Sequence, residues 1–401
     1  MEEMTIYDSR IKCSGCTACV AVCPQKCIQM HPDEEGFLYP HVDLEKCIKC
    51  NRCKDVCPVK RPCIPESWQR KTYVACSKNV KNRIESTSGG MFYPIQEWVL
   101  ENNGFVFAAS FSDEFRVEHK MYSNTDANDT CISKFRGSKY VQSFLGDCFV
   151  RIRDILCRGG LVCFIGTPCQ INGLKSYLGE TKHNLITVDV VCHGVASPKL
   201  WGKYLEYQTK KYNSKISSIL FRSKCYGYHS GGFMEIVFDD GRKYQGSSRI
   251  DYILRTYFKD IASRPICYDC PFKSWERCSD LTLYDCWHYT QLTGEKDDDL
   301  GYTSVIVHSK RGTELMDAIS SKVYSIEIDS TLSRKLDGIM IMNSAKPAPN
   351  RNAFYKNIDK MPLSKLIKLY APISFSDRLI ETGKRVLYRL GVIQLMKLGK
   401  W

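Results

Sequence analysis

Two cysteine runs near the start, Cys13-Ser-Gly-Cys16-Thr-Ala-Cys19-Val-Ala-Val-Cys23-Pro24 and Cys47-Ile-Lys-Cys50-Asn-Arg-Cys53-Lys-Asp-Val-Cys57-Pro58, share the spacing C-x2-C-x2-C-x3-C-P. This is the bacterial spacing for a [4Fe–4S] cluster. A cubane needs four converging thiolates, each deprotonated by the iron it binds. Three from one tight loop wrap a cube, but the local chain cannot curl far enough to supply the fourth. In two-cluster ferredoxins the fourth cysteine therefore serves the other cluster. The expected sets are Cys13, Cys16, Cys19 and Cys57 for one cube, and Cys47, Cys50, Cys53 and Cys23 for the second. Such crossing ties two halves into one pseudo-symmetric unit, which a segment of about 60 residues needs because it buries little core. Zinc prefers paired C-x2-C knuckles to triplets closed by C-P. Gly36 and Pro40, between the runs, suit a short hairpin.

The remaining chain alternates strands and helices. Gly160–Ile165 is an apolar run ending at Gly166-Thr-Pro-Cys169, before a helix over Gln170–Leu178. Leu185–Cys192 is a second such strand, ending at Cys192-His-Gly194, with a helix from Pro198. Phe233–Phe238 and Arg242–Gly246 read as a hairpin, and Ser304–His308 with Gly312–Ile319 as one more strand–helix unit. The expected fold class is α+β / α/β: a ferredoxin-like dicluster domain followed by an α/β region. Its expected divisions are 1–65, 70–150, 151–345 and a basic tail helix over 346–401. Ligands of such sheets bind beyond the carboxyl ends of the strands, where Cys169 and Cys192 fall.

The 22 cysteines in 401 residues would suit a disulfide scaffold only in a small secreted chain. Met1–Arg10 has no apolar core of a signal peptide, and no run of eighteen apolar residues follows, so a reducing cytoplasm is expected. The formal net charge is +13. Each cube with its thiolates carries about −2, so two or three would remove roughly 4 to 6 units. With no basic–aromatic ladder, no nucleic-acid partner is expected.

Several stretches resemble the coenzyme F420 hydrogenase/dehydrogenase beta-subunit family. They are Ser86-Thr-Ser-Gly-Gly90, Arg136-Gly-Ser-Lys-Tyr-Val-Gln-Ser143, Gly166-Thr-Pro-Cys-Gln170, Asp189-Val-Val-Cys-His-Gly194, Phe221-Arg-Ser-Lys224 and Cys267-Tyr-Asp-Cys-Pro271, in family order from about residue 72 to about 345. The resemblance implies FAD or another flavin, additional iron–sulfur, and exchange of electrons with an organic acceptor. In archaeal members that acceptor is the deazaflavin coenzyme F420.

Ser86, Ser88, Gly89 and Gly90 precede a helix over Met91–Glu101. Free amides at a helix start attract a phosphate, and glycines permit close approach. A Ser-capped helix with a glycine turn reads equally well from the residues alone. Arg136, Ser138 and Lys139 offer two cations and a hydroxyl to a pyrophosphate or flavin edge, or else form a solvated basic turn. With Gln142 they complete the flavin contacts that the resemblance implies. Cys169, Cys192, Cys267 and Cys270 unite two strand ends with a C-x2-C. Free cysteines are commonly buried as small apolar residues; the resemblance implies instead a third [4Fe–4S] cluster, with Cys278 and Cys286 as substitutes. Cys27, Cys63, Cys76, Cys131, Cys148, Cys157, Cys163 and Cys225 read as bystanders. Close members carry a Gly-Asp-Phe-Trp-Gly-like segment where this chain has Tyr284-Asp-Cys-Trp-His288, which would crowd a cofactor there. His193 and His288 read as structural.

The expectation is an iron–sulfur flavoprotein oxidoreductase, moving electrons from a ferredoxin-like or other low-potential donor to an organic acceptor. The alternatives are an electron-transfer subunit with its chemistry on a partner, and a redox sensor lacking flavin. Residues 375–401 place Leu379, Val386, Leu390 and Ile393 at helical spacing among basic residues, a pattern for peripheral membrane contact or for packing on the protein itself.

Overall fold

The computed structural model describes residues 6, 7, 9–126, 134–179 and 183–390. In chain order its strands are β1 (Ile28–Pro32), β2 (Leu38–Val42), β3 (Lys71–Ser77), β4 (Phe105–Phe111), β5 (Val117–Tyr122), β6 (Val162–Gly166), β7 (Leu185–Val190), β8 (Ile216–Ser223), β9 (Phe233–Phe238), β10 (Lys243–Ser247), β11 (Leu281–Cys286), β12 (Tyr302–Val307) and β13 (Val323–Ile328). β1 and β2 form an antiparallel hairpin, with Ile28 opposite Val42. β8, β9 and β10 form an antiparallel three-stranded sheet.

The other eight make one mixed sheet, in the order β13-β3-β12-β11-β7-β6-β4-β5. Its middle, β11-β7-β6-β4, is parallel, and antiparallel strands extend both sides. Every residue of β6 is buried, which is why Val162-Cys-Phe-Ile-Gly166 reads as a continuous apolar run rather than an alternating one. Strands from 70–150 and from 151–345 thus share one sheet.

Helix Pro168–Leu178 starts directly after β6. Thr167 and Gln170 close a capping box, with the Thr167 amide donating to Gln170 Oε1 at 2.9 Å, and Pro168 occupies the first turn. Helix Pro198–Tyr212 follows β7, and Ser197 Oγ accepts from the Lys199 amide at 3.1 Å. Both crossovers therefore begin at the carboxyl edge of the parallel strands.

The cysteine-rich segment is packed onto this frame. Cys16, Ala18 and Cys19 share a core with Phe149, Ile152, Ile171 and Leu174. Phe37 and Tyr39 of the hairpin enter a second core with Trp201, Tyr204 and Tyr355. Gly36 has φ +85°, and a side chain there would meet Lys199 Cβ at 2.3 Å.

Residues 346–401 differ from a single tail helix. Helices Arg351–Lys356 and Leu363–Tyr370 bury Phe354, Leu366 and Ile367 in the core, as Leu363, Leu366 and Ile367 at i, i+3, i+4 dictate. Helix Phe375–Arg389 docks through Glu381, which accepts from the Ser247 amide at 3.1 Å, and leaves Phe375, Leu379 and Leu390 exposed. Ile393, Lys397, Lys400 and Cys131 lie outside the described residues. Among those described, no helix is long and apolar enough to cross a membrane.

Two histidines are buried in the sheet region. His119 lies at hydrogen-bond distance, 3.1 Å, from Ile165 O, and His308 lies 2.8 Å from Thr282 Oγ1. Burial lowers their pKa values to about 4 and about 3. Below the unfolded value near 6.5 the unfolded chain takes up protons these rings refuse, so stability falls as pH falls toward 4. His119 alone should contribute roughly 1 kcal/mol of loss between pH 7.5 and 5.5. Urea midpoints of the wild type and His119→Phe at both pH values check this. The variant should show the smaller pH-dependent drop.

Candidate metal centres and the adjoining pocket

The two cysteine runs fold alike. Gly15 and Lys49 hold matching positions with φ of 71° and 55°, and Thr17 and Asn51 do so with φ of 64° and 57°. Each run then enters a short helix, Ala18–Val22 or Arg52–Asp55. Glycine and asparagine tolerate the left-handed region, but a β-branched threonine is an outlier there. Backbone held in this way clusters at functional sites.

The loops enclose two hollows. The first is lined by Cys13, Cys16, Cys19 and Cys57 together with Tyr7, Met30 and Pro40. The second is lined by Cys47, Cys50, Cys53 and Cys23 with Ile28 and Val42. Each hollow thus joins three cysteines of one run to the last cysteine of the other. Cys27 also lines the second, its Sγ 3.4 Å from that of Cys23. Its place outside the repeated spacing gives no sign of this.

The donors suit a cube. Burial pushes the Cys16 thiol up to about 12 and Cys19 well above its ordinary range, so a thiolate here needs a cation, which iron supplies. Backbone amides face the sulfurs as well: the Lys49 amide donates to Cys47 Sγ at 3.4 Å. Among the described residues no three His, Cys, Asp or Glu groups close on a single ion. A cube differs in giving each thiolate its own iron.

A third group of thiols gathers at the carboxyl edge of the sheet. Cys169 lies in the first turn after β6, Cys192 follows β7, and Cys267 and Cys270 lie in and after the turn Pro265–Asp269. After burial, the largest influence raising Cys169 is Cys270, and Cys192 and Cys267 act in the same direction. Cys192 and Cys270 likewise raise Cys267, which burial pushes to about 12. Lys273 Nζ donates to Cys192 O at 2.7 Å. The substitutes lie elsewhere: Cys286 is buried with Tyr289 and Tyr302, and Cys278 Sγ donates to Cys63 O at 3.0 Å.

This group and the first hollow adjoin one helix. A side chain at Gly173 would stand 2.8 Å from Cys16 Cβ and 2.9 Å from its Sγ. Residues 169 and 173 are four apart and share a helix face. Glycine at 173 therefore lets the cysteine loop seat one turn from Cys169.

Most of the expected flavin contacts also converge. The Ser138 amide donates to Thr87 Oγ1 at 3.0 Å, and Arg136 Nη2 donates to Asn82 Oδ1 at 2.8 Å while its Nη1 pairs with Glu85. Ser88 Oγ donates to Tyr302 O at 2.7 Å, and the Gly89 amide donates to Thr303 Oγ1 at 2.9 Å. Ser86 Oγ donates to Asn82 O at 2.6 Å, and Gly90 turns at φ +79°. Lys139 Nζ donates to Arg136 O at 3.1 Å and stands 5.2 Å over Phe111; burial lowers it to about 7. Gln142 stands apart: its Oε1 accepts from the Leu38 amide at 3.1 Å, on the dicluster side.

Lys224 belongs with this group, although its motif alone points to no role. Its Nζ donates to Ser88 O at 2.6 Å and Arg83 O at 2.8 Å, and burial lowers it to about 7. Nearby, Arg222 Nη1 and the Tyr228 hydroxyl donate to the two oxygens of Asp285, at 2.5 and 3.0 Å, and Trp287 stacks on Tyr228 at 4.5 Å. The unusual Tyr284–His288 segment therefore borders the same region. His288 Nδ1 lies 2.6 Å from Asp337 and His193 Nε2 lies 2.7 Å from Asp260, so each ring is held by a carboxylate.

Known proteins match in two blocks. Residues 159–330 match the family model for the C terminus of the coenzyme F420 hydrogenase/dehydrogenase beta subunit, and residues 12–61 match the 4Fe-4S dicluster domain. A coenzyme F420-dependent sulfite reductase of Methanocaldococcus jannaschii is 24% identical over 339 residues, 79% of this chain and 47% of that protein. A 7Fe ferredoxin of Hydrogenibacillus schlegelii is 38% identical over 61 residues, 14% of this chain and 69% of the ferredoxin. The chain spans about half the length of the first curated relatives it matches. A chain of the solved F420-reducing [NiFe] hydrogenase complex of Methanosarcina barkeri superposes with a TM-score of 0.42 at 14% identity, covering 78% of this chain and 97% of that one.

The crossed lining of the hollows predicts how ligand substitutions group. Cys57→Ala should remove the same cluster signal as Cys16→Ala, and Cys23→Ala should remove the other, each lowering iron by about four per chain. Iron assay and EPR of the reduced proteins check this. Cys23→Ala grouping with Cys16→Ala would contradict the crossing.

Proposed function

We propose that this chain, whose residues 12–61 match the 4Fe-4S dicluster domain and 159–330 the model for the C terminus of the coenzyme F420 hydrogenase/dehydrogenase beta subunit, is an iron–sulfur oxidoreductase. It takes single electrons at the dicluster unit and delivers them to an organic acceptor beside the large sheet. The observation that carries this reading is the seat of the Cys16 loop against Gly173, one helical turn from Cys169. It supports a continuous order of sites: the second hollow, then the first, then Cys169, Cys192, Cys267 and Cys270.

The protein's own groups have distinct tasks in this scheme. Cys50 and Ile48 are exposed, and they mark the second hollow as the face that meets a ferredoxin-like donor. Helix Pro168–Leu178 packs on the Cys16 loop, and Cys16 and Cys19 are buried, which keeps water from those two thiols. Ser86–Gly90, Arg136–Lys139 and Lys224 form the region for FAD. Lys139 and Lys224 border that region, each amine donating to backbone carbonyls. A bound flavin supplies the conversion between single electrons and a hydride or electron pair. F420 or a related deazaflavin is the acceptor class that the relatives' names suggest.

The test is anaerobic protein incubated with FAD, dithionite and a deazaflavin acceptor, followed by absorbance. Retained flavin and acceptor reduction that Cys267→Ala abolishes are the expected results. A chain that holds iron but retains no flavin and reduces no acceptor would overturn the reading.

A further inference from the structure

Arg264 joins two of these sites without a counter-ion of its own. Its backbone belongs to the third thiol group: the Arg264 amide donates to Val195 O at 3.0 Å, and the Cys267 amide donates to Arg264 O at 2.9 Å. Its side chain crosses into the dicluster unit. Nε donates to Cys13 O at 2.7 Å, and Nη1 donates to Leu38 O at 3.0 Å and Gln142 Oε1 at 3.2 Å. The guanidinium lies 4.0 Å over the Tyr39 ring. The residue is 0% exposed, and Nη2 has no hydrogen-bond partner. Among the described residues no carboxylate pairs with it; its neighbours are carbonyls, an amide and rings.

Burying an unpaired charge is costly unless an opposite charge stands nearby. The thiols flanking Arg264, Cys13 on one side and Cys267 on the other, are the groups that would provide one. A cube with four thiolates carries about −2, and one added electron takes it to about −3. A fixed cation in a dry site favours the more negative state, and cluster potentials respond to charge, hydrogen bonds and exposure. Resting on the iron–sulfur reading above, we propose that Arg264 is a positioning residue that raises the reduction potential of the cluster held by Cys13, Cys16, Cys19 and Cys57. Electrons are thereby drawn from the exposed second hollow toward the sheet. Gln142 takes part as the neutral acceptor that orients the guanidinium without cancelling its charge.

The test is an EPR-monitored titration with dithionite, done anaerobically on the full chain, with iron measured first. Arg264→Gln should disfavour reduction of the first cluster about tenfold, a shift of about −59 mV for one electron. The second-hollow component should stay in place, and Arg264→Lys should restore most of the shift. Gln142→Glu keeps Arg264 and its packing but supplies a carboxylate, and it should shift the same component in the same direction. If Arg264→Gln fails to retain iron, Gln142→Glu decides. Unmoved potentials in an iron-replete variant, or equal shifts of every component, would overturn the proposal. A wild-type chain without iron would instead overturn the reading beneath it.

Discussion

The contact between the Cys16 loop and Gly173 is the constraint around which the chain is arranged. A methyl group at 173 would collide with both Cβ and Sγ of Cys16, and a close-packed interior absorbs such a clash only by moving. With glycine there, the dicluster unit buries Cys16, Ala18 and Cys19 into the core that covers one side of the parallel strands. A segment too small to hold a large core of its own thereby borrows one from the sheet. The same seating places the first hollow beside the helix that carries Cys169.

Electrostatics follow from that seating. Burial that raises thiol pKa values makes the hollows poor places for bare thiolates and good ones for thiolates bound to iron. The guanidinium of Arg264 has the complementary problem, a buried cation with no carboxylate partner among the described residues. Each cost is offset by the other's charge once the thiol groups hold their metal. Lys139 and Lys224 show a related arrangement, each donating to backbone carbonyls.

The local chemistry is legible in the sequence wherever it has a period or a spacing. The two cysteine runs announce both loops, and an unbroken apolar stretch announces β6 because a covered parallel strand has no solvent face; β7 is mostly apolar, broken by Thr187 and Asp189. The hairpin of β9 and β10 shows in alternation about a turn. Contacts between distant segments leave no such mark. Arg264 meets Cys13 across 251 positions and Gln142 meets Leu38 across 104, and no local pattern encodes either. Gln142 therefore reads as a flavin contact from its motif, while its amide oxygen faces the dicluster hairpin. Cys27, outside the repeated spacing, reads as a bystander yet lines the second hollow. The two inner helices of 346–401 are hidden by the charge that surrounds their short apolar faces.

The central claim is that three groups of four thiols, two of them crossed between the cysteine runs and one at the sheet edge, hold iron–sulfur cubes in one chain. Iron and acid-labile sulfide per chain, measured on anaerobically isolated protein, test it most directly. The account predicts about 12 of each, falling to about 8 in Cys267→Ala. A wild-type value of about 8 that Cys267→Ala leaves unchanged would contradict it.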